Sequence, residues 1–185
     1  KPTPKETIST ATDNSFLLND KKFEDALYDN PSTNAIHDLA QRIKSLTDES
    51  SEDEISAIFK RLEALRPKLC NEITIYASLL DKIATKKPNQ TLVFLYEQYE
   101  KRENNILKPY ELTESHLIVQ ILMQHCVCTI DQTEQHIHNI QTLLLVLLSA
   151  YFPTFIEQVK ENPTQKISTT LAQLSNEISP AIENE

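Results

Sequence analysis

The sequence predicts an all-α globular bundle of about seven helices around a central hydrophobic αα-hairpin at about residues 114–152. Three observations support this prediction. Apolar residues recur at intervals of three and four in several stretches, which is the period of an amphipathic helix. Glycine is absent from all 185 residues, which removes the Asn-Gly and Asp-Gly turns that tight β-hairpins favour. Residues 143–148 are six consecutive apolar residues, and a helix that is apolar on every side is a buried one.

The beginning of the chain is polar and irregular. Residues 1–14 contain two prolines and no apolar period, which predicts a flexible N-terminal segment. We expect a single helical domain over residues 15–179, beginning with a short helix at about 20–28. That helix should end before Pro31 because a residue that precedes proline avoids the helical backbone conformation. Residues 180–185 are predicted to be a disordered acidic tail.

Two amphipathic helices are expected next. Ser32 and Asn34 are candidate caps for the first, and Ser51 with Glu54 forms the S-x-x-E capping box that predicts the start of the second. The apolar stripes of the two helices are Ile36, Leu39, Ala40, Ile43 and Leu46, and Ile55, Ile58, Phe59, Leu62 and Leu65.

Pro67 and Pro88 predict the starts of the third and fourth helices, because proline is favoured in a first helical turn. Lys86 and Lys87 suit the C-terminal end of the third helix, where cations interact favourably with the helix dipole. Phe94 falls on the far side of the fourth helix from its inward stripe, next to Val93. Such an aromatic side chain is either covered by a neighbouring helix or exposed for a partner. Val93 and Phe94 are therefore candidate partner-binding residues.

The predicted central hairpin has two mostly apolar helices. Thr113 is the expected cap of the first, and Asp131 with Glu134 is a second capping pair that begins the other after a turn near residues 129–131. A last helix should begin near residue 163. Its apolar stripe is narrow, a pattern typical of a helix that lies in a groove or pairs with its own copy in a homo-oligomer. The stripe adds four candidate partner-binding residues: Ile167, Leu171, Leu174 and Ile178.

Charge and composition make several functions improbable. The formal net charge is −9, and from Thr113 onward Lys160 and Lys166 are the only lysines or arginines. Nucleic acid is not an expected partner, since phosphates require clustered Lys and Arg. Phosphate-binding loops, dinucleotide folds and nucleophile elbows depend on glycine, so we expect neither cofactor nor catalysis. The apolar run is also shorter than the roughly 18–20 residues of a stable membrane span.

One group of residues could bind a metal ion. His125 and Cys128 share a helical face, and the predicted hairpin turn would bring His136 towards them. Imidazole and thiolate are good zinc ligands, although at most three ligands converge, which is fewer than a structural zinc site needs. Alternatively, the cysteines are small core residues and the histidines lie at the edge of the hairpin. Three cysteines at irregular spacing favour a reducing compartment over a disulfide framework.

The sequence thus predicts a non-catalytic protein–protein interaction module: an adaptor, a scaffold or a regulatory helical domain with another protein as partner. Its Lys-, Ile-, Asn- and Gln-heavy composition suits an AT-rich genome, which leaves room for a bacterial effector or secretion adaptor. The expected location is the cytoplasm, or another cell's cytoplasm for an effector. Two alternatives remain open. One is a helical metalloprotein or enzyme that uses the cluster near 125–138, and the other is a membrane-active protein that inserts its hydrophobic hairpin.

Overall fold

A computed structural model describes residues 18–100, 111–126 and 133–148. These residues form seven α-helices and no strand, which confirms the all-α prediction. The helices are α1 (Asp20–Ala26), α2 (Thr33–Lys44), α3 (Glu52–Leu65), α4 (Ile73–Lys86), α5 (Pro88–Glu100), α6 (Glu111–Ile121) and α7 (Glu134–Leu148). A 3₁₀ turn, Arg66–Leu69, joins α3 to α4, and a π turn, Leu122–Cys126, continues α6. None of the helices in these ranges has the length and apolar character needed to cross a bilayer.

The first three helices begin and pack largely as their sequence patterns predict. Asn19 caps α1 by accepting a hydrogen bond from the Lys22 backbone N–H at 2.8 Å. The capping box of α3 is complete: the Glu54 N–H donates to the Ser51 hydroxyl at 3.1 Å, and the Ser51 N–H donates to the Glu54 carboxylate at 2.9 Å. Of the ten stripe residues predicted for α2 and α3, nine are buried and Ala40 is half-buried. These apolar faces therefore form one side of the core.

Two predicted helix starts are wrong, by six and by three residues. Pro67 lies in the 3₁₀ turn, and α4 begins only at Ile73. Thr113 is not a cap, because α6 already begins at Glu111. The start of α2 is as predicted, with Ser32 at the N-cap position, although the Ser32 side chain makes no capping hydrogen bond and Asn34 lies inside the helix. Pro67 and Thr113 have helix-starting or cap-forming chemistry, yet neither begins an α-helix here.

Helix α4 is the central element among the described residues. It contacts α1, α2, α3, α5 and α6, and its residues 75–80 are all buried. The two helices of the predicted hairpin do touch each other, but α6 lies mainly against α4 and α7 mainly against α5. All seven helices contribute to one continuous apolar core.

Two lysines and a proline define the ends of α2 and α4. Lys87 alone separates α4 from α5, with φ −135° and ψ 66°, because Pro88 disfavours a helical conformation in the residue before it. Lys86 lies in the last turn of α4, as predicted, and its ammonium donates to the backbone carbonyls of Lys44 at 2.6 Å and Leu46 at 3.2 Å. Lys86 therefore binds the C-terminal carbonyls of α2.

Several predictions fall outside the described residues. They are the terminal segments 1–14 and 180–185, the hairpin turn at 129–131 with Asp131, Cys128, and the last-helix stripe of Ile167, Leu171, Leu174 and Ile178. At the start of α7, Thr133 provides a cap, since its hydroxyl accepts a hydrogen bond from the His136 N–H at 3.2 Å.

Candidate functional site

A groove lies between α3 and α5. Three side-chain contacts join these helices, and the contacts occur in the same order along both helices. Gln90 donates to Glu52 at 3.4 Å, Phe59 stacks on Phe94, and Gln98 donates to Glu63 at 3.1 Å. The two helices therefore run parallel, and the Gln90–Glu52 bridge belongs to the lining of the groove.

Two stacked phenylalanine rings form the floor of the groove. The ring centroids of Phe59 and Phe94 are 4.5 Å apart and the rings are inclined by only 17°. Both side chains are buried, at 8% and 7% exposure, whereas the neighbouring Val93 is 45% exposed. Val93 and Tyr28 are the two strongly exposed large apolar residues among the described ones, and only Val93 lines this groove.

The groove has an apolar base and an acidic, polar rim. Its volume is about 370 Å³, within the range of small-ligand and peptide-anchor pockets. The residues that line it come from α3, α5 and the first turn of α7: Glu52, Ile55, Ser56, Phe59, Asn89, Gln90, Val93, Phe94, Glu97 and His136. Two carboxylates thus face the groove, and the described lining includes neither lysine nor arginine.

Of the two partner-binding residues predicted on α5, one lies at the surface and the other lies in the floor of the groove. Val93 is exposed, as a contact residue must be, while Phe94 is covered by Phe59 and shapes the groove from below. The off-stripe position of Phe94 was the signal that pointed to this region. Phe59 was assigned only to the core, because its stripe position gave no sign that it would meet α5. The role of Val93 and Phe94 in binding a partner stays a prediction.

The histidines of the proposed metal cluster lie in different surroundings. His125, on the π turn, contacts Asp81 of α4 through Nε2 at 2.8 Å, whereas His136 lines the groove. Within residues 18–100, 111–126 and 133–148, no group of three His, Cys, Asp or Glu side chains is arranged to hold a metal ion. Cys128 is outside those ranges. The contact of His125 with Asp81 attaches the π turn to α4.

A buried ionic cluster joins the 3₁₀ turn, α5 and α6. Arg66 donates to both carboxylate oxygens of Glu114 through Nη2 at 2.6 and 2.7 Å, and through Nε at 3.0 Å. The Tyr99 hydroxyl donates to the same carboxylate at 2.5 Å, and the guanidinium lies 5.8 Å from the centre of the Tyr76 ring. The Arg66 and Glu114 side chains are only 14% and 3% exposed. This cluster was not predicted, because its two charges lie 48 residues apart in the sequence.

The pKa values in this cluster favour the charged pair. Burial lowers the pKa of Arg66, but the hydrogen bonds and negative charge of Glu114 outweigh it, so the pKa is raised overall. Burial and the Glu114 charge raise the pKa of Tyr99 well above its usual value. Glu114 already accepts hydrogen bonds from Arg66 and Tyr99, so its oxygens are engaged in holding helices together. This arrangement suits a structural role better than proton transfer.

Two buried titratable groups have a low tendency to become charged. Burial lowers the pKa of His116, on α6, to about 4, and raises the pKa of the Cys126 thiol to about 12. Cys126 is completely buried and donates to the Pro88 carbonyl at 3.7 Å. A reactive cysteine needs an accessible, electropositive position that favours its thiolate, so the surroundings of Cys126 are those of an inert core residue.

Comparison of the chain with protein-family models, with curated proteins and with solved structures finds no match.

Proposed function

We propose that the chain is a non-catalytic helical module that binds another protein through the groove between α3 and α5. The observation that carries this proposal is the exposed Val93 beside a floor of stacked phenylalanines, Phe59 and Phe94. Burying Val93 under a partner would remove apolar surface from water, which is the main favourable contribution to protein association. Interface centres are also typically apolar and surrounded by polar side chains, as this groove is.

Two other polar features of the described residues have structural explanations. The Arg66–Glu114–Tyr99 cluster is nearly closed to solvent and bridges three parts of the fold. The His125–Asp81 contact joins the π turn to α4. The groove, in contrast, combines an apolar floor with access from solvent. It is therefore the feature that best supports binding as the function.

The test is a comparison between two apolar-to-aspartate variants. Val93→Asp places a charge in the groove, and Tyr28→Asp places the same charge at a residue that is 82% exposed and outside the groove. Each variant and the wild type would be used to capture partners from a lysate of the source organism. Circular dichroism would verify that each protein is folded. We expect a partner that the wild type and Tyr28→Asp retain and that Val93→Asp loses.

A photo-crosslinking amino acid at position 93 gives an independent readout, with position 28 as the matched control. The proposal predicts that the same partner crosslinks to position 93 and not to position 28. A partner whose capture is unaffected by Val93→Asp, and which does not crosslink at position 93, would contradict binding through this groove.

A further inference from the structure

We infer that the occupant of the groove is an amphipathic helix whose apolar stripe is flanked by lysine or arginine side chains. This inference rests on the proposed function, because it specifies the partner of the same groove. It follows from the charge of the rim, from the parallel arrangement of α3 and α5, and from the length of the α5 wall.

The charge of the rim has one sign on both walls. Glu52 lies on the α3 wall and Glu97 on the α5 wall, and both are exposed. Glu52 also begins a first turn that continues with Asp53 and Glu54. Since the described lining has no lysine or arginine, a partner with basic flanks would meet opposite charge on each side. Acidic flanks would be repelled, and this like-charge repulsion is a common basis of partner discrimination.

The shape of the groove fits a short helical segment. On the α5 side its lining runs from Asn89 to Glu97, and eight residues of helix span about 12 Å at 1.5 Å per residue. This length corresponds to about two turns of a bound helix. Anchors at positions i, i+3 or i+4, and i+7 of an amphipathic helix cover such a distance, which is the usual pattern of helix-in-groove recognition. The first anchor would pack on Val93 above the Phe59–Phe94 stack.

The experiment is a selection from a display library of peptides, each long enough for about four helical turns, with randomised flanking and anchor positions. The full chain is the target, and peptides that also bind the folded Val93→Asp variant are removed. Enrichment of Lys and Arg beside an apolar stripe would support the inference. Groove-dependent peptides with neutral or acidic flanks would overturn the inference while leaving the proposed function intact. If no enriched peptide depends on Val93, the proposed function itself fails.

A selected peptide then tests the two glutamates directly. Its affinity should fall about 2- to 30-fold for the double variant Glu52→Gln/Glu97→Gln, as expected for the loss of two solvent-exposed ion pairs. The control Asp25→Asn/Asp29→Asn removes the same charge from α1 and the turn after it, which lie outside the groove, and should leave the affinity within about twofold. The wild-type affinity should also weaken with rising salt. Equal effects of both double variants would show a dependence on net charge alone and overturn the inference.

Discussion

Removing the charge of Glu114 should destabilise the fold more than removing a charge from its surface. Glu114→Gln keeps the side-chain shape but leaves Arg66, which is only 14% exposed, as a buried cation without its carboxylate. Loss of one partner from a buried ion pair costs about 3–5 kcal/mol, and the residual access of Arg66 to water favours the lower end, about 3 kcal/mol. For a domain of this size that corresponds to a decrease in Tm of about 6–12 °C.

Urea denaturation followed by far-UV circular dichroism would measure this loss. Asp38→Asn is the matched control, since Asp38 also contacts two arginines but is 52% exposed, and its loss should cost less than about 1 kcal/mol. The triple variant Arg66→Met/Glu114→Leu/Tyr99→Phe replaces the cluster with apolar groups. It should be more stable than Glu114→Gln, because no buried charge or hydroxyl is left unpaired. If Glu114→Gln costs no more than Asp38→Asn, the structural role assigned to the cluster is refuted.

Three further predictions concern single residues. Because the pKa of His116 is lowered from 6.5 to about 4, the unfolded chain takes up a proton first as the pH falls. The wild type should therefore lose about 3 kcal/mol of stability between pH 6.5 and 4. Over the same pH range, unfolding curves of the folded His116→Leu variant should show a loss of stability that is smaller than the wild-type loss by about 3 kcal/mol. Equal losses in the two proteins would contradict the prediction. Ser51→Ala should lower the free energy of unfolding by about 1 kcal/mol, because it removes the α3 cap. The control is Ser56→Ala, at an exposed site within the same helix, which should change the free energy of unfolding little. Alkylation mapped by mass spectrometry should label half-buried Cys70 before buried Cys126, because burial raises the pKa of the Cys126 thiol to about 12. Comparable labelling rates for the two cysteines would contradict the buried surroundings of Cys126.

Local sequence rules predict the helices well where the relevant signal is itself local. The capping box of Ser51 and Glu54 marks the start of α3 correctly because both hydrogen bonds form within four residues. Pro67 was misleading, since a first-turn proline suits a 3₁₀ helix as well as an α-helix. The central position of α4 was also missed. Its stripe resembles that of a surface helix, and only the helices packed against it reveal that Ala77 and Ser78 are buried too.

The groove could be predicted only in part for the same reason. Periodicity identifies Val93 and Phe94 as off-stripe residues of one helix. The second wall requires the parallel packing of α3 and α5, which brings Phe59 to Phe94 and Glu52 to Gln90. Neither periodicity nor capping specifies which helices will be neighbours. The buried pair of Arg66 and Glu114 was missed because it too depends on contacts between distant segments.

The contact of Lys86 with the end of α2 has a consequence for how the molecule unfolds. A helix commonly ends in a left-handed glycine that allows local hydrogen bonds to its last carbonyls, and this chain has no glycine. At α2 local donors satisfy the Gln41 and Ile43 carbonyls, and an ammonium from α4, about 40 residues away in sequence, donates to the carbonyls of Lys44 and Leu46. The end of α2 is therefore fully satisfied only when α4 is in place. Helix termination, usually a local property, becomes here a source of cooperativity between segments of the fold.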